Sequence, residues 1–230
     1  MEMVRSGEII PRPVVIPAEV PLEGDLAVPA ETTSVVAFAH GSGSSRFSPR
    51  NRFVAERLRA HGHATLLLDL LTPEEEQVDE VTRHLRFDIG LLAGRLVATV
   101  DWLQAGDATR RRSIGLFGAS TGAAAALVAA ARRPDLVRAV VSRGGRPDLA
   151  GDALPDVRAP SLFLVGSLDD EVLTLNRQAA ARMRVPPEIE IVEGATHLFE
   201  EPGTLEQVAE LAAGWFDRHL IGADASRSTT

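Results

Sequence analysis

The stretch Ser113–Leu127, SIGLFGASTGAAAAL, joins two apolar runs through one polar turn. The first run has the composition of a buried strand, and the alanine-rich second run is typical of a closely packed helix. Ser120 lies at the junction, between Gly118 and Gly122, in the pattern G-x-S-x-G. Glycines permit a sharp strand-to-helix turn, because side chains two residues from the serine would collide with it. The stretch therefore predicts a serine hydroxyl exposed above a helix N-terminus.

The rest of the chain alternates apolar runs with helical patterns, which is typical of a parallel sheet covered by helices. The predicted strands are residues 14–20, 22–29, 33–39, 63–70, 113–118, 136–142, 161–166 and 188–194. The predicted helices are residues 49–60, 81–103, 121–133, 171–182 and 205–220. We therefore predict one α/β domain over residues 1–221, with a mostly parallel sheet of about eight strands and helices on both faces. Residues 222–230 are predicted to be a disordered tail.

The composition excludes several kinds of chemistry. All 24 basic residues are Arg, and Lys, Cys and Tyr are absent. Schiff-base and P-loop lysines, thiolates, disulfides and a tyrosine acid are therefore excluded. The net charge of -8 argues against a nucleic-acid partner. With no recognisable export leader and no apolar segment of membrane-spanning length, we expect a cytoplasmic protein without a membrane partner. The oligomeric state is left open.

A catalytic serine needs a histidine base and a carboxylate, and in this architecture they follow the serine in the order acid, histidine. Functional residues should also lie just after a strand. Asp169 meets both conditions after the strand 161–166, with Asp170 as the alternative, and His197 meets them after the last strand. The other histidines occupy less suitable positions: His40, His61, His63, His84 and His219. The alternative interpretation of Ser120 is a helix N-cap among packing glycines.

The loop AHGSGSSRFSPRN, residues 39–51, is rich in glycine and serine. It lacks the third glycine of a dinucleotide fingerprint and the lysine of a P-loop, so we predict oxyanion donors instead. The donors are the backbone N–H groups of Ser42 and Thr121, with Gly43 as the alternative to Ser42 and as a substrate contact. His61 and His63 form only a weak metal candidate, because they lack a third ligand nearby. No metal or organic cofactor is predicted, because acyl transfer by a serine, a histidine and a carboxylate requires none.

Two arginines lie near the expected mouth of the site. Arg46 and Arg143 could each bind a substrate carboxylate through two parallel hydrogen bonds. The alternative for each is a structural salt bridge or a solvent-exposed charge. The acidic stretch EEEQVDE, residues 74–80, is predicted to be solvent-exposed.

Four segments together resemble α/β-hydrolases of the dienelactone hydrolase type: HGSGSSR, GASTG, VGSLDDEV and GATHLFEEPG. The resemblance spans residues 34–220 and implies a Ser120–Asp169–His197 triad. Dienelactone hydrolases have a cysteine nucleophile, so Ser120 favours a general carboxylesterase acting on small esters or lactones. Only residues 143–160 separate the sixth and seventh predicted strands, too few for a large lid. An open, shallow site suited to small soluble acyl esters is therefore expected.

Other functions remain compatible with these residues. The same triad can serve an acyltransferase or a perhydrolase, and an α/β-hydrolase scaffold can bind a ligand or partner without catalysis. Similar hydrolase domains also occur fused to phosphoribosyltransferases. The present chain contains no acidic pair followed by Thr-Gly, the pattern expected of such a transferase.

Overall fold

Strands and helices alternate along residues 9–221, the part of the chain that this computed structural model describes. The strands are β1 (Arg12–Pro17), β2 (Pro21–Ala27), β3 (Ser34–Ala39), β4 (Ala64–Leu68), β5 (Ser113–Ala119), β6 (Val137–Arg143), β7 (Ser161–Gly166) and β8 (Glu188–Val192). The α-helices are α1 (Pro49–Ala60), α2 (Pro73–Thr82), α3 (Ile89–Ala105), α4 (Thr121–Arg132), α5 (Asp170–Ala180) and α6 (Thr204–Phe216). Shorter helical segments cover Leu85–Phe87, Pro147–Asp156 and Asp217–Ile221.

One sheet contains all of these strands, in the order β1-β2-β4-β3-β5-β6-β7-β8. The β1–β2 and β2–β4 pairs are antiparallel, and the pairs from β4 to β8 are parallel, which confirms the predicted mostly parallel sheet. From β3 the chain continues to β4 on one side and later returns to β5 on the other. In such sheets the carboxyl ends of the strands at this reversal form the usual ligand-binding crevice. The loops after β3 and β5 therefore meet there.

Helices cover both faces of the sheet. α3 and α4 contribute to one buried apolar cluster, and α1 and α6 contribute to the other. Residues 121–130 of α4 are all buried, because α3 and the segment Pro147–Asp156 also pack against this helix. Its alanine-rich sequence allows this close approach. α4 is thereby held firmly beneath the turn that contains Ser120.

The predicted helix over residues 81–103 is wrong in its first part. α2 ends at Thr82, Arg83 has a left-handed backbone with φ of 57°, and α3 begins only at Ile89. Asp88 caps α3 by accepting a hydrogen bond from the Leu91 N–H at 2.9 Å. This local cap interrupts the helical periodicity that the apolar residues suggest.

The prediction that residues 74–80 are solvent-exposed is wrong for Asp79, and Glu75 is only partly exposed. Glu75 binds both terminal nitrogens of Arg95, which is only 2% exposed, at 2.6 and 2.5 Å. Asp79 is also 2% exposed and forms a salt bridge with Arg86. Charge-assisted hydrogen bonds compensate for the loss of water around these groups. The Glu75–Arg95 pair anchors α2 to α3, and the Asp79–Arg86 pair joins α2 to the segment Leu85–Phe87 that follows it.

All described strands belong to one sheet, which supports our proposal of a single domain over residues 1–221. None of the helices within residues 9–221 has the length and apolar character needed to cross a membrane. The tail predicted over residues 222–230 lies outside the described residues. Between β6 and β7 the structure has only the short segment Pro147–Asp156 and its flanking loops, and no large lid.

Candidate active site

Ser120 occupies the sharp turn between β5 and α4. Its backbone has φ of 49° and ψ of -121°, a conformation that side-chain-bearing residues rarely adopt. Its N–H donates to the Arg143 carbonyl oxygen at 3.3 Å, and its carbonyl accepts from the Arg146 N–H at 3.0 Å. The hydroxyl makes no capping hydrogen bond with α4, although Ser120 is the N-cap residue. The geometry therefore favours a strained nucleophile turn over a capping role.

The flanking glycines are required because the backbone approaches closely on both sides. A Cβ atom on Gly118 would lie 2.4 Å from the Ala123 Cα, and one on Gly122 would lie 2.3 Å from the Ala39 carbonyl oxygen. The predicted steric need for glycine is confirmed, but these closest contacts are with neighbouring backbone rather than with Ser120. The turn is held between α4 and the loop that follows β3.

His197 and Asp169 form a hydrogen-bonded pair across two loops. The distance between His197 Nδ1 and Asp169 Oδ2 is 2.7 Å, whereas Asp170 is exposed. A carboxylate at Nδ1 holds the proton there and leaves Nε2 able to accept one. The ring lies near the end of β6, since its Cε1 is 3.6 Å from the position of a Cβ on Gly144. Its hydrogen bonds among the described residues include Asp169 but not Ser120, and such catalytic bonds often tighten only on substrate binding.

The two loops that carry this pair are tied together by backbone hydrogen bonds. The Ser167 N–H donates to the Val192 carbonyl and the Leu168 N–H to the Ala195 carbonyl, each at 3.0 Å. A Cβ on Gly166 would lie 2.3 Å from the Ala195 oxygen, so the loop needs glycine to pass. The connections after β7 and β8 thus fix the relative positions of the carboxylate and the imidazole.

The loop after β3 begins with a buried histidine that holds its backbone in place. His40 Nδ1 is 2.9 Å from the Gly41 carbonyl oxygen, and the Leu70 N–H donates to His40 Nε2 at 3.0 Å. A carbonyl only accepts and an amide N–H only donates, so His40 is neutral with its proton on Nδ1. A Cβ on Gly41 would lie 3.0 Å from the Ser120 Cβ. The loop of residues 39–51, which carries the predicted oxyanion donor and is called the oxyanion loop below, therefore lies directly against the serine.

A cavity of about 190 Å³ opens beside this loop. Its lining includes both predicted oxyanion donors, Ser42 and Thr121, and also Gly43. Thr121 is the first residue of α4, where N–H groups lack helical partners and the helix dipole favours negative charge. Among the described residues, no group of three or more His, Asp or Glu side chains is placed to hold a metal ion.

The cavity lining also includes four charged residues that the sequence analysis did not assign to the site: Glu76, Asp79, Glu80 and Arg86. These four residues belong to α2 and to the Leu85–Phe87 segment. We call the four of them together the acidic wall. The Thr72–Glu75 pair has the spacing of a capping box and could have predicted that a helix begins at Pro73. Its position beside the cavity depends on contacts with distant residues.

Stability is expected to fall as the pH drops from 7 towards 5.5. Burial lowers the pKa of His40 and of His63 below the ordinary value of 6.5, although Asp69 and Asp217, respectively, favour their charged forms. The unfolded chain therefore takes up protons first as the pH drops below about 6.5, which lowers the free energy of unfolding. Above this pH both states are neutral and the full stability is present. Thermal melting across this pH range measures the effect.

The matched variants are His63→Gln and His84→Gln. His84 is exposed, so His84→Gln should retain the full pH-dependent decrease in Tm, while His63→Gln should show a smaller one. A Tm independent of pH in this range would contradict the assignment of neutral buried histidines.

Arg46 forms salt bridges with carboxylates of the protein itself. Its Nη2 donates to Glu23 at 2.7 Å, its Nη1 pairs with Asp69, and its backbone N–H donates to Asp69 at 2.6 Å. This arrangement favours the structural salt bridge, which the sequence left open as the alternative to substrate binding.

Arg143 fits neither a salt bridge nor an exposed charge. It is 8% exposed, its Nη1 has no hydrogen-bond partner among the described residues, and it does not line the cavity. Burial, together with the charge of Arg50, lowers its pKa to about 10, so it remains charged at neutral pH. Its contact with a substrate stays a prediction.

The sheet order, the strained serine turn and the His–Asp pair define the chain as an α/β hydrolase. Residues 22–219 match the dienelactone hydrolase family. The chain belongs to this family. A solved structure of dienelactone hydrolase from Anabaena variabilis ATCC 29413 is 56% identical, covers 91% of this chain and 99% of its own, and superposes with a TM-score of 0.89.

More distant and longer relatives add to this comparison. Est1E from Butyrivibrio proteoclasticus is 17% identical and has a TM-score of 0.74 over 89% of this chain and 97% of its own, which shows the shared fold alone. Two proteins of Mycobacterium tuberculosis, strains CDC 1551 / Oshkosh and H37Rv, bear the name "Putative phosphoribosyl transferase". Each is 57% identical over 212 residues, which are 92% of this chain and 47% of theirs. The chain thus spans about half the length of these relatives.

Proposed function

We propose that this chain is a serine hydrolase of carboxylesterase type that cleaves small esters or lactones through an acyl-enzyme. The observation that carries the proposal is the strained turn of Ser120 at the sheet reversal, in a chain that also pairs His197 with Asp169 after later strands of the same sheet. The cavity lined by Ser42 and Thr121 supplies space for the acyl or alcohol group next to the turn. Its small volume favours short substrates.

In the proposed first step, His197 Nε2 takes the hydroxyl proton as Ser120 Oγ attacks the acyl carbon. The backbone N–H groups of Ser42 and Thr121 bind the resulting oxyanion. The Asp169 carboxylate orients the ring and stabilises the imidazolium. When the C–O bond to the leaving alcohol breaks, His197 returns the proton to that alcohol, which leaves an ester on Ser120.

In the second step, water attacks the acyl-enzyme while His197 accepts its proton. Collapse of the second tetrahedral intermediate breaks the Ser120 ester and releases the carboxylic acid. The proton then returns to Ser120 Oγ. Every transfer uses groups of this chain, the substrate and water, so the proposed reaction requires no cofactor.

The name of the mycobacterial relatives raises phosphoribosyl transfer as an alternative. The present chain covers 47% of those proteins, and 198 of its residues, 22–219, match the hydrolase family. The printed sequence lacks an acidic pair followed by Thr-Gly. We therefore assign the hydrolase reaction, and not phosphoribosyl transfer, to this chain.

Labelling with a fluorophosphonate tests the proposal, with intact-mass measurement as the readout. The wild type is expected to gain one adduct, and Ser120→Ala none. Ser44→Ala is the matched control, because it removes a different serine hydroxyl, one that belongs to the cavity lining, and should retain the adduct. A folded wild type without an adduct would contradict the hydrolase proposal and favour the non-catalytic scaffold. Products formed with added alcohols or peroxide distinguish hydrolysis from acyl transfer and perhydrolysis.

A further inference from the structure

The lining of the cavity beside the oxyanion loop contains both apolar and acidic side chains. Leu70, Leu71 and Leu92 supply buried apolar surface to its lining. The acidic wall supplies three carboxylates and one guanidinium. A pocket of this kind binds a group that has both apolar surface and charge.

The charges of the acidic wall do not balance. The positive charge of Arg86 is paired with Asp79, since Arg86 Nε donates a hydrogen bond to Asp79 Oδ2 at 2.5 Å. The Leu85 N–H donates a further hydrogen bond to Asp79 at 2.8 Å. The Arg86 hydrogen bonds hold the pKa of Asp79 below its ordinary value, although burial alone would raise it. Glu76 and Glu80 form no salt bridge with any residue from 9 to 221. Two carboxylates of the lining are therefore uncompensated.

Glu76 has further negatively charged side chains near it. Burial raises the pKa of Glu76, and the neighbouring carboxylates of Asp69 and Glu80 raise it further. The charges of Arg46 and Arg86 only partly oppose this effect. Arg46 is itself paired with acidic residues, so acidic groups outnumber free basic groups around Glu76. An anionic group would be repelled there, and a cation would be attracted.

A second observation indicates that the cavity receives a polar ligand. Thr121 lines the cavity and is only 2% exposed, and its Oγ1 has no hydrogen-bond partner among the described residues. Buried hydroxyl groups are normally satisfied. After a rotation of this side chain towards the cavity, an ester oxygen of a bound ligand would accept a hydrogen bond from the Thr121 hydroxyl.

We propose that this cavity binds the ammonium-bearing part of a cationic ester, with Glu76 and Glu80 as its counter-charges. The three leucines contact the methyl or methylene groups beside the nitrogen, as apolar surfaces do for substituted ammonium ions. This inference rests on the proposed hydrolase function. It adds the class of substrate: small esters that carry a positive charge on the part that occupies the cavity.

Pairs of esters that differ in charge but not in shape test the inference. The first pair varies the alcohol: acetylcholine and 3,3-dimethylbutyl acetate. The second pair varies the acyl group: the 4-nitrophenyl esters of 4-trimethylammoniobutanoate and 5,5-dimethylhexanoate. In at least one pair, kcat/KM of the wild type is expected to favour the cationic ester by about 10-fold, because Glu76 is partly exposed and Glu80 is exposed, and solvent weakens their attraction for a cation. The difference should lie in KM.

Variants of α2 separate a specific contact from general surface charge. The double variant Glu76→Gln with Glu80→Gln should remove most of the preference, measured as the ratio of kcat/KM for the cationic and the neutral ester of each pair. Glu74→Gln is the matched control, since Glu74 is exposed on the same helix and does not line the cavity. It should retain the preference. For the wild type, raising the salt from 0.1 to 1 M shortens the screening length from about 10 to about 3 Å and should reduce the preference.

The outcomes distinguish this inference from the function on which it rests. Hydrolysis of the neutral esters without a cationic preference in either pair would overturn the inference and leave the hydrolase proposal intact. An equal loss of preference in Glu74→Gln and in the double variant would also overturn it. Absence of both phosphonate labelling and hydrolysis would contradict the proposed function, and the inference would fall with it.

Discussion

Replacing Asp169 with Asn is expected to lower kcat for ester hydrolysis by about 10⁴-fold while the protein remains folded. Asp169 Oδ2 lies 2.7 Å from His197 Nδ1 and can only accept the proton of that nitrogen. An Asn side chain can donate its NH₂ group to Nδ1 instead, which moves the ring proton to Nε2. In this tautomer Nε2 can no longer accept the proton of Ser120. Steady-state hydrolysis of a short aryl ester near pH 7.5 measures the loss.

Asp170→Asn makes the same change in charge at the neighbouring position. Asp170 is exposed at the start of α5, so its variant should retain a kcat close to that of the wild type. Both variants should show the wild-type circular dichroism spectrum. A loss of similar size in both, or a loss in Asp170→Asn alone, would show that the paired carboxylate is not the one that orients His197.

Replacing Gly122 with Ala is expected to lower the free energy of unfolding by about 3 kcal/mol or more, or to prevent folding. The added Cβ would lie 2.3 Å from the Ala39 oxygen and 2.5 Å from the His40 oxygen. Both contacts are with backbone, so no side chain can rotate away. Relief requires the oxyanion loop and α4 to separate, and phosphonate labelling should decrease as well. Thermal unfolding should show a Tm lowered by roughly 6–12 °C.

Gly94→Ala is the matched control, and it should change the stability in the opposite direction. Gly94 is exposed within α3, and a Cβ there would meet nothing within 4 Å. Alanine is the better helix former, so this variant should gain about 0.5–1 kcal/mol of stability. If the two variants had similar stability, the steric account of the turn at Ser120 would be wrong.

The sequence allowed prediction of those features that depend on local pattern. Continuous apolar runs identify strands buried on both faces, and α1 and β7 have the predicted bounds. The G-x-S-x-G turn could be predicted because its glycines respond to a steric demand within a few residues. The placement of Asp169 and His197 followed from the rule that functional residues in parallel sheets come directly after strands.

The acidic wall could not be predicted, because its position depends on partners far along the chain. Glu75 is held by Arg95 of α3, twenty residues away, and an acidic stretch alone looks solvated. The burial of Arg143 also escaped prediction. It is the last residue of β6, and no local pattern distinguishes an enclosed from an exposed arginine there.

The contacts that hold α2 are separate from those that hold the proposed catalytic groups. α2 is attached through Glu75 to Arg95, and through Asp79 to Arg86. Ser120, Asp169 and His197 depend instead on the strand ends and on hydrogen bonds between the loops after β7 and β8. Side chains at positions 76 and 80 can therefore diverge among relatives without disturbing the reaction itself. This independence would allow relatives to retain the same reaction while they act on substrates of different charge.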